Sequence, residues 1–124
     1  MNKELKETLR KWRKEEWKLV RTLDEESKFK ALHSLINTLA DVMGKGPIQV
    51  EYHPDLYSFR YIPETKTICV NKTLSIISTL HEFGHHLYGK SELKACRFSV
   101  WLFKSAFPKT YRKLKWKGHM LKKV

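Results

Sequence analysis

The chain has 124 residues, which is enough for one domain with its own core and too few for a second. Lys and Arg number 25 against 13 Asp and Glu, a formal net charge of +12, and the two cysteines, Cys69 and Cys96, are too few for a disulfide-stabilised scaffold. The sequence contains neither an apolar run of about 18 residues nor a charged leader followed by an apolar segment. We therefore expect no membrane contact and no secretory signal, and hence a cytoplasmic protein.

Two helices are predicted before residue 45. The first helix covers residues 3–22. Its apolar side chains recur at helical spacings: Leu5, Leu9, Trp12, Leu19 and Leu23. Thr22 and Glu25 have the form of a capping box for the second helix, although Asp24, Glu25 and Glu26 could equally continue one long helix. The apolar stripe of the second helix ends at Gly44 and consists of Phe29, Leu32, Leu35, Ile36, Leu39 and Val42.

After Pro47 the apolar period changes from that of a helix to that of a strand. Residues 48–53 alternate between apolar and polar side chains, as a strand covered on one face does. Residues 57–62 repeat the pattern less regularly, residues 63–66 have turn chemistry, and residues 67–71 follow as a short strand. The sequence therefore predicts a small three-stranded sheet in which residues 57–71 form a hairpin.

Two further helices follow the sheet. The first spans about residues 74–88, is largely buried and ends at Gly89. The second begins after Ser91, a favoured capping residue, spans about residues 92–106 and stops before Pro108. The fold class is therefore α+β: two N-terminal helices, a three-stranded sheet, two consecutive helices and a basic C-terminal tail, in one domain over residues 1–124.

The first of these two helices carries the pattern H-E-x-x-H, as His81-Glu82-Phe83-Gly84-His85. On a helix this spacing places two imidazoles one turn apart on one face, beside a carboxylate, which is the ligand arrangement of hydrolytic zinc sites. Such a site needs a third protein ligand and one open position for water. His85 precedes Gly89 by four residues, and Glu92 follows it by three. If the chain reverses at Gly89, the rise along the first helix from His85 nearly equals the return along the second helix to Glu92. Glu92 then lies level with His85 and becomes the candidate third ligand.

The same reversal places Cys96 near the level of His81, so two kinds of zinc site are open. With Cys96 as the fourth ligand the zinc is structural, and without it a water completes a catalytic site. Glu82 favours the catalytic site, because hydrolysis needs a general base beside the metal. In a third interpretation no metal binds, and His81 and His85 are hydrogen-bonded core histidines. Tyr88 lies on the His81 face, as an oxyanion donor or a packing residue.

These residues resemble the core of small gluzincin-type metallopeptidases. The likeness is strongest to the minigluzincins and more distant to the ImmA/IrrE-like peptidases, whose pattern has a longer interval before the glutamate and another acid where this chain has Lys94. It covers roughly residues 57–107 and rests on the runs Ile68–Asn71, Thr79–Leu87 and Ser91–Ser99. The resemblance implies a Zn²⁺ metalloendopeptidase with ligands His81, His85 and Glu92, general base Glu82, and a latent, zymogen-like form. We expect a peptide or protein substrate to bind as an extended strand beside the sheet edge near residues 67–71.

The C-terminal segment, residues 109–124, carries seven cations and no acid. Its apolar residues include Tyr111, Leu114, Trp116, Met120 and Leu121. One hypothesis is that this segment, with His119 near the metal, occludes the site of its own chain or of a partner in a homodimer. A solvated tail and a docked helix are the alternatives.

Two further function classes remain beside the peptidase. One is a non-enzymatic basic binding module with a structural zinc bound by His81, His85, Glu92 and Cys96. The other is a peptidase fold retained for regulation by protein contact. The basic module could meet nucleic acid through phosphate contacts, which depend steeply on salt. Since no nucleic-acid motif occurs, nucleic acid is the less favoured partner.

Overall fold

The computed structural model describes residues 3–117 and 120–123, with their side chains as far as Leu114. These residues form the predicted α+β fold, with helices before and after a small three-stranded mixed sheet. None of the described helices combines the length and the apolar character that crossing a membrane requires.

The first helical region consists of α1 (Lys3–Trp12), a π-helical segment (Arg13–Trp17) and a last turn, α2 (Lys18–Val20). Leu19 is 70% exposed and Leu23 54% exposed, so their prediction as buried stripe residues was wrong. The π-helical turn is wider than an α-helical one and rotates the following residues relative to the core. The apolar stripe therefore continues through Trp17 and Val20, which pack against the core.

The second helix, α3 (Glu25–Met43), is separate from the first and ends at Gly44 as predicted. Its N-cap is Asp24, whose side chain accepts a 2.8 Å hydrogen bond from the Ser27 backbone N–H. The capping box predicted from Thr22 was therefore wrong, because Thr22 lies within the turn that precedes the cap. One face of α3 enters the core through Ala31, Leu32, Leu35, Ile36, Leu39 and Ala40.

The sheet contains β1 (Gln49–Tyr52), β2 (Arg60–Ile62) and β3 (Thr67–Val70) in the order β1-β3-β2. The predicted hairpin is confirmed by the antiparallel pairing of β2 with β3, whereas β1 pairs with β3 in parallel. Since β3 lies in the centre, all four of its residues are buried. The expectation that residues 67–71 form a sheet edge was therefore wrong, and β2 is the edge strand on that side.

Two consecutive helices follow, α4 (Ile76–Tyr88) and α5 (Glu92–Ala106). Helix α4 begins two residues later than predicted, because Leu74 has a left-handed backbone (φ 48°) and the Ser75 side chain caps the helix. Gly89 ends α4 at φ 76°, a conformation that residues with a side chain rarely adopt, and the chain reverses there. The Ser91 side chain then caps α5 at the Lys94 N–H.

The C-terminal segment contains regular structure where the sequence predicted a basic tail. A short helix, α6 (Pro108–Arg112), leads into a hairpin of β4 (Leu114–Lys117) and β5 (Met120–Lys123). Tyr111 and Leu114 pack against the core, so the start of this segment is docked on the domain.

Candidate metal centre

Helices α4 and α5 approach each other closely at Gly84 and Ala95. A Cβ atom placed on Gly84 would lie 2.9 Å from the Ala95 Cα and 3.1 Å from its carbonyl oxygen, which is closer than carbon and oxygen atoms normally pack. A glycine at this position of the H-E-x-x-H pattern therefore lets the backbone of α5 contact α4 directly. Because Glu92 lies one turn before Ala95, the same contact sets the distance of Glu92 from the histidines.

The structure brings His81, His85 and Glu92 together. The two carboxylate oxygens of Glu92 divide between the rings: Oε1 lies 2.7 Å from His85 Nε2 and Oε2 lies 3.2 Å from His81 Nε2. One potential ligand atom from each residue lies within 4.8 Å of the others. Two imidazole nitrogens and a carboxylate oxygen are the donor set of a three-ligand hydrolytic zinc site.

The two histidines have different electrostatic surroundings. Burial lowers the pKa of His81, against the attraction of Glu92. Burial also acts to lower the pKa of His85. The net pKa of His85 is nevertheless raised, because it forms hydrogen bonds to the Gly89 carbonyl and to Glu92 and lies near the charges of Glu82 and Glu92. The His85 Nδ1–H donates to the Gly89 carbonyl at 2.7 Å, which leaves Nε2 as the nitrogen available to a metal.

Glu82 is partly buried between the cluster and strand β2. Burial raises its pKa from an ordinary 4.5 to about 7, with a further rise from Glu92 and opposing contributions from His85 and from hydrogen bonding to the Tyr61 backbone. A carboxyl group with this pKa can both accept and release a proton near neutral pH. Glu82 therefore has the proton affinity that a general acid–base group needs.

The cluster opens into a cavity of about 850 Å³. Its lining includes the two histidines, Glu82 and Glu92, together with residues 57–61 from the edge strand β2 and the loop before it. Two cations, Arg60 and Lys90, also line this cavity. An extended peptide lying along the β2 edge would thus pass beside Glu82 and the metal ligands.

Two other predicted site residues that the structure describes, Cys96 and Tyr88, belong neither to the ligand cluster nor to the cavity lining. Among the described residues, the cluster of potential ligands does not include Cys96, which is buried nearby with a raised thiol pKa caused first by burial and then by Glu92. Tyr88 is 39% exposed, packs edge-on against Phe98 with ring centroids 5.7 Å apart, and does not line the cavity. The packing interpretation of Tyr88 therefore fits, and the oxyanion role does not. His119 lies outside the described residues.

A hydrogen-bonded pair that the sequence did not predict supports the β2 wall. The Tyr61 hydroxyl donates to His86 Nδ1 at 2.6 Å, and the His86 Nε2–H donates to the Lys45 carbonyl at 2.7 Å. Tyr61 thereby connects the zinc-motif helix to the edge strand whose backbone reaches Glu82. The pairing joins residues 25 positions apart, so no local pattern could have indicated it.

A second group of potential ligand atoms lies on the outer face of the sheet. Glu51, His53 and Cys69 each place one such atom within 4.8 Å of the others, and His53 Nε2 lies 3.0 Å from Glu51 Oε1. Glu51 and Cys69 are register neighbours on β1 and β3. Any measurement of bound metal has to separate this group from the cavity cluster.

Comparisons with known proteins add no family. No protein-family model matches the chain, and neither a curated protein nor a solved structure matches it. The resemblance to the minigluzincins accordingly stays a prediction.

Proposed function

We propose that this chain is a zinc-dependent peptidase. One observation carries the proposal: His81, His85 and Glu92 converge at the wall of a cavity beside Glu82, a carboxyl group whose pKa is about 7. Three donors with one side open to the cavity suit catalysis, whereas a structural site is closed by a fourth protein ligand.

The donor chemistry fits zinc. Neutral imidazole and carboxylate are ligands that zinc accepts, and the Gly89 carbonyl holds His85 in the tautomer whose Nε2 can bind. When bound, the metal would polarise a peptide carbonyl and make a water molecule acidic enough to attack it at neutral pH.

Glu82 would take the proton from the attacking water and return it to the leaving amine. In the metal-free chain burial raises its pKa to about 7, which favours uptake of a proton by the carboxylate. The partly buried position of the side chain causes this pKa, so the same burial that costs folding free energy prepares the group for proton transfer.

The substrate would lie antiparallel or parallel to β2, the edge strand of the cavity wall. Main-chain hydrogen bonds to a strand edge bind a peptide without regard to its sequence, and flanking side chains then add selectivity. The network of Tyr61, His86 and Lys45 holds β2 at the level of Glu82. This arrangement is suited to an unfolded or extended polypeptide.

The non-enzymatic alternative requires Cys96 as a fourth ligand. Cys96 is outside the cluster of the described residues, so the closed, structural site has less support than the open one.

The decisive experiment measures bound zinc and the cleavage of a denatured protein in parallel. We expect the wild type to bind one zinc per chain in the cavity and to cleave the denatured protein. Glu82→Gln should keep its zinc and lose cleavage. Glu92→Gln should lose both. Cys69→Ser is the matched control, because it disrupts only the group on the outer face of the sheet. Cleavage by Glu82→Gln at the wild-type rate would refute the assignment of the base.

Self-inhibition by the C-terminal segment is tested separately. The described side chains that line the cavity all lie between Tyr57 and Glu92. Because Tyr111 and Leu114 pack against the core, truncation after Leu114 is less disruptive than removal of residues 109–124. If the segment occludes the site of its own chain or of a partner, the truncated protein cleaves faster than the full chain, and an unchanged rate would exclude this role.

A further inference from the structure

A second cavity, which we call the basic groove, lies on the other side of the α4 N-terminus. It has a volume of about 1010 Å³, and its rim carries Arg13, Lys14, Lys18 and Arg21 from the first helical region. No carboxylate occurs among the described side chains that line it. A concentration of four cations around one concave surface attracts an anionic partner.

The cations of the groove are largely free to bind a partner. Lys14, Lys18 and Arg21 form no ion pair with a carboxylate of the described residues. Of the neighbouring acids, Glu16 accepts a hydrogen bond from Ser34 on α3, whereas Glu15 and Glu7 line a separate shallow depression that Lys14 also borders. Among the described contacts of these four cations, Arg13 is engaged through the Ala106 carbonyl and the Phe107 ring.

The floor of the groove is apolar but offers few open aromatic faces. Phe103 and Phe107 stack on each other with centroids 5.0 Å apart, and Trp17 stacks on Trp12 at 5.4 Å. Nucleic-acid bases bind single-strand grooves by stacking on free aromatic faces, and here Phe103 and Phe107 are buried and one face of Trp17 is covered by Trp12. Aliphatic side chains of a peptide need no such faces, because they bury apolar area against ring edges and Ile76.

The groove also adjoins the candidate metal centre. Thr73 and Ser78 line both cavities, so the start of α4 is a shared wall. From Ser75 to His81 the helix rises about 9 Å, which corresponds to about three residues of extended peptide. A polypeptide crossing the metal centre can therefore reach the groove within a few residues of the bond to be cleaved.

We propose that the basic groove binds an acidic segment of the substrate, so that the protein selects polypeptides with clustered Asp and Glu about three residues or more from the scissile bond. The selection of substrates rests on the proposed peptidase function, whereas the binding of an acidic peptide to the groove does not depend on cleavage. The charge of the groove selects the segment, and the apolar floor accepts the aliphatic side chains between the acids.

The test uses the Glu82→Gln chain, which removes turnover, and a fluorescent peptide with a run of Glu at one end. Its partner peptide carries Gln in place of Glu. We expect the acidic peptide to bind at least about tenfold more tightly, with an advantage that falls as salt rises. In the Glu82→Gln chain, the double substitution Lys18→Glu with Arg21→Glu should abolish the tighter binding of the acidic peptide. The charge-matched control, Lys3→Glu with Lys30→Glu in the same chain, should retain it. Equal binding of the two peptides, or a full advantage in the folded double reversal, would overturn the proposal.

Two further arms separate the possible failures. In the otherwise wild-type chain, the double reversal should raise KM for the acidic peptide and leave kcat unchanged, because Lys18 and Arg21 do not line the cavity that holds the reacting groups. A chain that binds the acidic peptide selectively but cleaves nothing supports the groove and counts against the peptidase function. A single-stranded oligonucleotide that binds more tightly than the acidic peptide, and is released by the same reversal, would overturn the choice of a peptide partner.

Discussion

Replacing Gly84 by Ala tests whether the close contact of α4 and α5 places Glu92 at the metal centre. The new Cβ would lie 2.9 Å from the Ala95 Cα, whereas carbon atoms normally pack at about 3.5–4.0 Å. Helix α5 must therefore withdraw by about 0.5–1 Å. Glu92 lies on the turn of α5 next to this contact and would move with it.

The expected effects on stability and on zinc binding differ. Alanine favours a helix over glycine by about 1 kcal/mol, while overpacking costs about 1–3 kcal/mol, so the unfolding free energy of the metal-free protein should fall by no more than about 2 kcal/mol. Metal–ligand distances tolerate deviations of only about 0.2 Å, so zinc affinity should fall by at least about tenfold. Zinc binding is thus the more sensitive measurement.

The assay is competition with a coloured zinc chelator, combined with thermal unfolding of the metal-free protein. Ile36→Val is the control, because it removes one methyl group from a fully buried site on α3, away from the contact of Gly84 with Ala95, and costs about 1 kcal/mol. Zinc affinity should be unchanged in this control. If Gly84→Ala binds zinc like the wild type, the helix contact does not position Glu92, and the reasoning fails.

Three further predictions concern proton binding, the metal ligands and the first helix. In metal-free protein, Glu82 has a pKa of about 7 when folded against 4.5 ordinarily, so the folded state holds the proton more tightly. The unfolding free energy should then fall as pH rises from about 5 to about 8, by at most about 3 kcal/mol, and urea titrations should show this decrease to be smaller in Glu82→Gln. Cys96→Ala should bind zinc within about twofold of the wild type by chelator competition, because Cys96 lies outside the ligand cluster. Leu19→Lys should change the unfolding free energy by less than about 0.5 kcal/mol, whereas Val20→Lys should cost about 1–3 kcal/mol in urea unfolding.

Each of these predictions has a result that contradicts it. Parallel pH profiles for the wild type and Glu82→Gln would show that Glu82 is solvated and titrates as an ordinary carboxyl. A large loss of zinc affinity in Cys96→Ala would restore the four-ligand structural site. A cost at Leu19 greater than that at Val20 would mean that the first helix is α-helical throughout, with the stripe that its spacing predicted.

Local patterns were sufficient where a feature depends on neighbouring residues. Gly44 and Gly89 marked the ends of helices because such positions favour positive φ, and Ser91 marked a helix start because its side chain satisfies an exposed N–H. The hairpin of β2 and β3 followed from a short turn between two apolar segments. The same local reasoning failed at Leu19, because the π-helical turn before it changes the period on which the stripe was counted.

The sequence by itself determined the α+β class, the two histidines one turn apart and the carboxylate between them, since these depend on composition, periodicity and helical spacing. Only the tertiary structure decided that β3 is central and β2 is the edge, that Cys96 lies outside the cluster and that cations of the first helical region line a second cavity. Strand order, ligand distances and cavity walls are set by contacts between residues far apart in the chain. A periodic pattern specifies which face of an element is apolar, but not which distant element packs against it.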